Sequence, residues 1–257
     1  MMHSFNKSFQ KVLLIVSSLC VLFILIGGFM LLRQFDLRGT NAPVPSTPVE
    51  YEEPPRDENE QYFIDTLELP EDLVYDLPRG STAIQLSLFE ELFRAHDQFN
   101  LTGADEDLIT YAAVIAQNFV ADFFTLSNKT ARTDVGGMQF IAEDIFEEFY
   151  DYALNTFYFH LAHHINNFGS ASLPTVETIR VVTAETGFYA LSLQAYPWTE
   201  YVPIIIVDLE WTYLNTTLPY INEFINSSRV HLQEINGEIR IIGIVEMPEQ
   251  TENQING

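Results

Sequence analysis

Three imidazoles crowd one short stretch: His160, His163 and His164, in the run His-Leu-Ala-His-His. On a helix, positions 160 and 164 share a face and position 163 sits about 60° away, so the rings can approach one metal ion. Zinc needs a third or fourth ligand with support behind it, and the run lacks the Glu that a metalloprotease helix places after its first His. No metal site is assigned. Just upstream stand Glu143, Asp144, Glu147, Glu148 and Asp151. Two carboxyls held close can share a proton and act as acid and base, but the solvated face of a helix has the same sequence, and the run is assigned to that face. Residues 134–137 (Asp-Val-Gly-Gly) lack the further glycines and the Lys of a phosphate loop, and predict a turn in which Gly supplies positive φ. There is no Asp-x-Asp-x-Asp-Gly loop for calcium and no Gly-x-Ser-x-Gly elbow, and Cys20 is the sole cysteine. No catalytic residue and no cofactor are predicted.

The elements that carry these side chains follow from hydrophobic period. Ile109, Ala112, Ala113, Ala116, Phe119, Val120, Phe123 and Phe124 recur at helical spacing. Thr102-Gly103-Ala104-Asp105 resembles a capping box with Asp in place of Glu, ahead of a helix running to about residue 126. A second helix is predicted over 143–166, its inner stripe running from Ile145 through Tyr152 and Phe157 to His160 and His164. Residues 83–99 read as a shorter amphipathic helix. After Gly169 the period changes to that of strands. Residues 178–186 and 188–196 are β-rich runs joined at Glu185-Thr186-Gly187, and 204–214 is a third run. Asn236-Gly237, flanked by 230–235 and 238–245, carries the two residues that a type I′ hairpin prefers. In that hairpin Val230 and Leu232 share a face, and the last strand, apolar at Ile241 and Ile242, suits a central or covered position better than an edge. The predicted class is α+β, with two main helices packed on a curved antiparallel sheet.

Residues 12–32 are 21 uncharged, mostly apolar side chains closed by Lys11 and Arg33. A helix of that length matches a hydrocarbon core roughly 30 Å thick. The run is longer than a signal-peptide core and lacks a small-x-small cleavage site, and Leu19 stands where a lipoprotein signal before Cys20 carries a small residue. An uncleaved span is predicted. Lys7 and Lys11 precede it, and beyond residue 40 the chain holds 8 Lys and Arg against 35 Asp and Glu, a net of −27. This favours a cytoplasmic N-terminus and an extracytoplasmic bulk, a single-pass protein of the cell membrane. Such an acidic chain repels phosphate, so no nucleic-acid partner is expected. No cysteine is left for disulfides, which points to a bacterium with one membrane; the sequons at Asn6, Asn100, Asn128, Asn215 and Asn226 become glycosylation sites only in a eukaryotic host. The organisation predicted is a short tail (1–11), the span (12–32), a Pro/Glu-rich spacer (33–60), an intermediate segment (61–101), an α+β domain (102–247) and a disordered tail (248–257).

The Ala/Phe-rich helix YAAVIAQNFVADFFTL and the closing hairpin VHLQEINGEIRIIGI, in that order of elements, resemble the nuclear transport factor 2-like cone fold over roughly residues 104–247. Joined to one N-terminal span and a spacer, the chain resembles the single-span scaffold subunits of bacterial type IV secretion and conjugation machines. The resemblance implies a non-enzymatic assembly role, with envelope-complex proteins and further copies of the chain as partners. The alternative is a small-ligand module whose cone cavity is lined by Tyr152, Tyr158, His160, His164, Trp198 and Trp211. An acid–base enzyme in that cavity would need a buried carboxylate beside a His, and Asp208 and Glu210 are the strand-borne candidates.

Overall fold

A computed structural model of the protein describes residues 74–192, 199–214, 218, 221 and 224–247. The predicted span, the spacer, residues 61–73 of the intermediate segment, the C-terminal tail and Trp198 lie outside the described residues. Among the described residues no helix is long and apolar enough to cross a membrane. Among the described residues four α-helices precede four strands: α1 (Ala83–Thr102), α2 (Asp105–Phe123), α3 (Glu143–Asn155), α4 (Leu161–Phe168), β1 (Val176–Ser192), β2 (Thr199–Tyr213), β3 (Ser227–Ile235) and β4 (Glu238–Val245). The strands form one antiparallel meander in the order β1-β2-β3-β4, which is the α+β arrangement that the change of period predicts.

The closing hairpin forms as its sequence dictates. Asn236 and Gly237 take φ of 55° and 86°, and the ladder pairs Ile235 with Glu238 and Glu234 with Ile239. Val230 and Leu232 are fully buried on one face, as are Ile239 and Ile241 opposite them. A bulge explains why β4 is apolar on both sides. His231 pairs with Gly243 but Leu232 with Ile241, so Ile242 is the extra residue and Ile244 returns to the core side. The expectation that β4 avoids an edge is corrected: it is the last strand of the meander. The segment before α3 covers its edge instead, through a parallel bridge between Ile141 and Ile241 and an Ala142 N–H donated to Ile241 O at 2.9 Å.

Three other expectations change. Thr102-Gly103-Ala104-Asp105 is no simple N-cap. Thr102 ends α1, Gly103 closes it at φ 59° with its N–H donated to Phe99 O at 2.7 Å, and Ala104 starts α2 with no side-chain cap. The capping box lies at the other end of α1, where Thr82 and Gln85 cap each other reciprocally. The helix predicted over 143–166 breaks at Thr156 (φ −123°, ψ −92°). Asn155 Nδ2 donates to Asp151 O at 2.8 Å and Thr156 Oγ1 to Tyr152 O at 2.7 Å, so side chains compete for the carbonyls that a continuing helix needs. The break also lets Tyr158 turn fully inward. The two β-rich runs meeting at Gly187 are one strand, with Gly187 paired to Ile204 inside the ladder. A Cβ there would lie 2.6 Å from Ile206 Cδ1, so this glycine serves close packing rather than a turn.

α2 lies at the centre. Twelve of its 19 residues are buried, because it packs against α1 as well as against β1 and β2. α1 is therefore the second main helix, in the place given to 143–166: α3 fully buries only Ala153, and α4 only Leu161. The core does not begin at residue 102. Tyr75, Leu77, Phe89, Leu92 and Phe93 join the same cluster as Phe119, Trp211, Leu232 and Ile241, and the Tyr75 hydroxyl donates to Ile239 O at 2.7 Å. Burial pushes that phenol up to about 12.

Candidate functional site

The residues assigned to a cavity wall do not converge. Trp211 is 3 % exposed, inside the core, its ring 4.5 Å from that of Phe124. Tyr152 is 66 % exposed on α3. Tyr158 is fully buried, donating to Phe123 O at 2.7 Å and accepting the Gly136 N–H at 3.1 Å. The histidines do gather, at the start of α4. His160 is the N-cap, and the His160–His164 and His163–His164 ring centres lie 6.1 and 5.9 Å apart. His160 and His163 are exposed and His164 is half-buried, so they form a surface stripe rather than a cavity wall. Burial holds the His164 imidazole below its ordinary value, and His160 and His163 add to that. Among the described residues no group of three or more His, Cys, Asp and Glu is placed to hold a metal ion. Glu143, Asp144, Glu147, Glu148 and Asp151 are all exposed, the solvated face that their run predicts.

The interior holds a polar node that the sequence does not announce. Asp122, in the last turn of α2, receives the Lys129 ammonium at 2.6 Å and the Gly137 N–H at 2.6 Å. Both charged side chains are more than nine-tenths buried. Gln85 Nε2 donates to Ala121 O at 3.3 Å, tying α1 to the same turn. The two glycines of 134–137 serve here for different reasons. Gly137 supplies positive φ (74°), whereas a Cβ on Gly136 would lie 2.3 Å from Asp122 O. Beside the node is a recess with polar walls from Asp76, Gln85, Asn118, Asp122 and Gln139, with about 10 Å³ in which a water-sized molecule can move. That is room for about one water. Asp122 thus ties Lys129 and Gly137 to the last turn of α2, an arrangement that clamps the 124–142 loop onto that helix.

A second ionic cluster lies on the sheet face turned away from α2. Arg229 grips Asp208 with two hydrogen bonds of 2.7 and 2.9 Å, and Thr183 Oγ1 donates to the same carboxylate at 3.0 Å. The Arg229 hydrogen bond holds the Asp208 carboxyl below its ordinary 3.8. Burial, with Arg229 beside it, holds His231 below its own ordinary value. Asp208 is thus a structural partner of Arg229.

The β1–β2 hairpin continues past the rest of the sheet. β3 pairs with β2 only from Ile205 to Glu210, while β1 pairs with β2 as far as Ser192 and Thr199. The row that faces α2, made of Ile179, Val181, Leu209 and Val207, extends along this two-stranded ribbon as Phe188, Pro203 and Tyr201. Phe188 is 74 % and Tyr201 67 % exposed. Residues 186–207 include one charged side chain, Glu200, in a chain of net charge −24.

Sequence reasoning missed Asp122, Lys129, Arg229 and the ribbon. Asp122 leaves a trace as a lone acid inside the apolar run Phe119-Val-Ala-Asp-Phe-Phe, and the ribbon leaves one as a long stretch almost free of charge. Comparison with known proteins returns no match to a family model, to a curated protein or to a solved structure.

Proposed function

We propose that this chain is a membrane-anchored, extracytoplasmic scaffold subunit of a bacterial envelope complex of the conjugation and secretion kind. It works by contact rather than by catalysis, and its partners are other proteins of the complex and further copies of itself. The apolar run at 12–32 supports the anchor, and the order of elements supports the cone-like domain. The observation that carries the reading is the ribbon. Its core-facing row runs on past the end of β3 as Phe188, Pro203 and Tyr201, two aromatic rings about a proline, all uncharged and exposed. A two-stranded ribbon is marginally stable in water and gains from a neighbour that covers it.

The test is a photo-crosslinking amino acid placed at Tyr201 or Phe188 in the full chain in its native membrane, with the exposed acid Glu106 on α2 as the control position. Discrete adducts of fixed mass are expected from the ribbon positions and none from position 106. Equal labelling at all three positions, or none, contradicts the reading.

A further inference from the structure

We propose that Asp122 and Lys129 become joined by an amide bond between their side chains, a cross-link that the folded domain makes by itself. The proposal does not rest on the assembly role. The Lys129 ammonium stands 2.6 Å from Asp122 Oδ1, and both side chains are more than nine-tenths buried. A nitrogen hydrogen-bonded to one carboxylate oxygen lies about 3–3.5 Å from the carboxyl carbon, the separation from which a held nucleophile attacks. The other oxygen, Oδ2, accepts the Gly137 N–H at 2.6 Å. The backbone that presents this N–H is fixed on both sides. The Gly136 N–H donates to Tyr158 Oη at 3.1 Å, and the Phe119 ring packs so closely that a Cβ on Gly137 would lie 2.7 Å from it. Asp122 also lines the recess that it shares with Gln85 and Asn118, which has room for about one water.

Each step of the condensation has its atoms in place. Holding two opposite charges out of water is costly, and passing one proton from the ammonium to Oδ1 turns the pair into an amine and a carboxylic acid. The Nζ lone pair then forms a bond to Cγ. Negative charge collects on Oδ2, at which the Gly137 N–H already points, the geometry of an oxyanion hole. A second proton passes from Nζ to the Oδ1 hydroxyl, the Cγ–Oδ1 bond breaks, and Oδ1 leaves as water, for which the recess has room. Two of the three ammonium hydrogens depart with it and the third stays on the amide nitrogen. Oδ2 becomes the amide carbonyl oxygen and still accepts the Gly137 N–H. The step needs no oxidant, and its product carries no charge into the interior. It also braces the end of α2 in a chain whose sole cysteine is Cys20.

The experiment is a tryptic digest of the full chain, purified in detergent and then denatured, read by mass spectrometry. Trypsin cuts after Lys and Arg, so a chain without the cross-link yields residues 95–129 and 130–132 as separate peptides. The result expected is a single peptide of residues 95–132, uncut after Lys129 and lighter than its sequence by one water. Fragment ions that break the chain between Asp122 and Lys129 should be missing. Hydroxylamine, which opens the cyclic imide that an Asp or Asn side chain can form with the same or a similar loss, should leave the peptide unchanged. The change Lys129→Arg, which removes the amine, should restore both the cut and the full mass. Cleavage after Lys129 at full mass in the native chain overturns the proposal, whether or not the variant folds. So does a loss of water that hydroxylamine reverses, that maps outside 122–129 or that persists in the variant.

Discussion

Lys129 is one of 12 basic side chains in the chain, and it is spent inside the domain on Asp122 at 2.6 Å. Removing one partner of a buried pair leaves a charge with neither water nor counter-ion. Lys129→Ala is therefore expected to lower the unfolding free energy by about 3–5 kcal/mol, measured by urea titration. Replacing the pair together by Leu and Met should recover part of that loss and not all, because Asp122 also accepts the Gly137 N–H. Asp208 gives a pH signature. Its carboxyl is held below 3.8 when folded, chiefly by Arg229. The pair therefore stabilises the domain above that pH, and the contribution is lost as the pH falls through the folded value. Arg229→Gln should lower the melting temperature at neutral pH and flatten the acid limb below pH 3.8. An acid limb as steep as that of the native chain would show that other carboxylates set it.

At the level of elements, what was legible in the sequence was what depends on neighbouring residues alone. The Asn236-Gly237 hairpin, the apolar rhythm of α2 and the acidic outer face of α3 are local patterns, and all three stand in the structure. Several of the departures have a partner distant in sequence as their cause. The helix that periodicity would carry through breaks at Thr156, where the Asn155 and Thr156 side chains take helix carbonyls, and Tyr158 then reaches Phe123 O. Gly187 sits inside a strand because Ile206 needs the space. The His stripe faces outward because, after that break, α4 buries only Leu161. α1 went undervalued because its second partner is the sheet, about a hundred residues further on. A direct consequence concerns boundaries. A fragment of residues 74–247 should unfold cooperatively on heating, whereas one of residues 102–247 should not. The shorter piece lacks Tyr75, Leu77, Phe89, Leu92 and Phe93. At about 1.5–3 kcal/mol for each large buried side chain, that loss rivals the whole net stability of a domain. A sharp transition in the shorter piece would mean that α2, α3 and the sheet form a core by themselves.

Over the described residues, charge and apolar surface are segregated. The five acids of α3 are all exposed, while the ribbon carries one charged side chain, Glu200, in a chain of net charge −24. Alkaline phosphatase fused after residue 257 should be active in a bacterial host, and a cytoplasmic reporter fused at the same point should be dark. The reverse pattern would move the domain to the cytoplasm. The central claim, an anchored subunit that acts by assembly, is tested most directly by the size of the particle that carries the chain when native membranes are dissolved in mild detergent. The account predicts that the chain sediments with the membrane fraction and then runs well above the mass of one 29.4 kDa chain in a micelle. The change Phe188→Ser with Tyr201→Ser should return it to the single-chain position. A chain recovered in the soluble fraction, or running as a monomer without any change to the ribbon, would contradict the account.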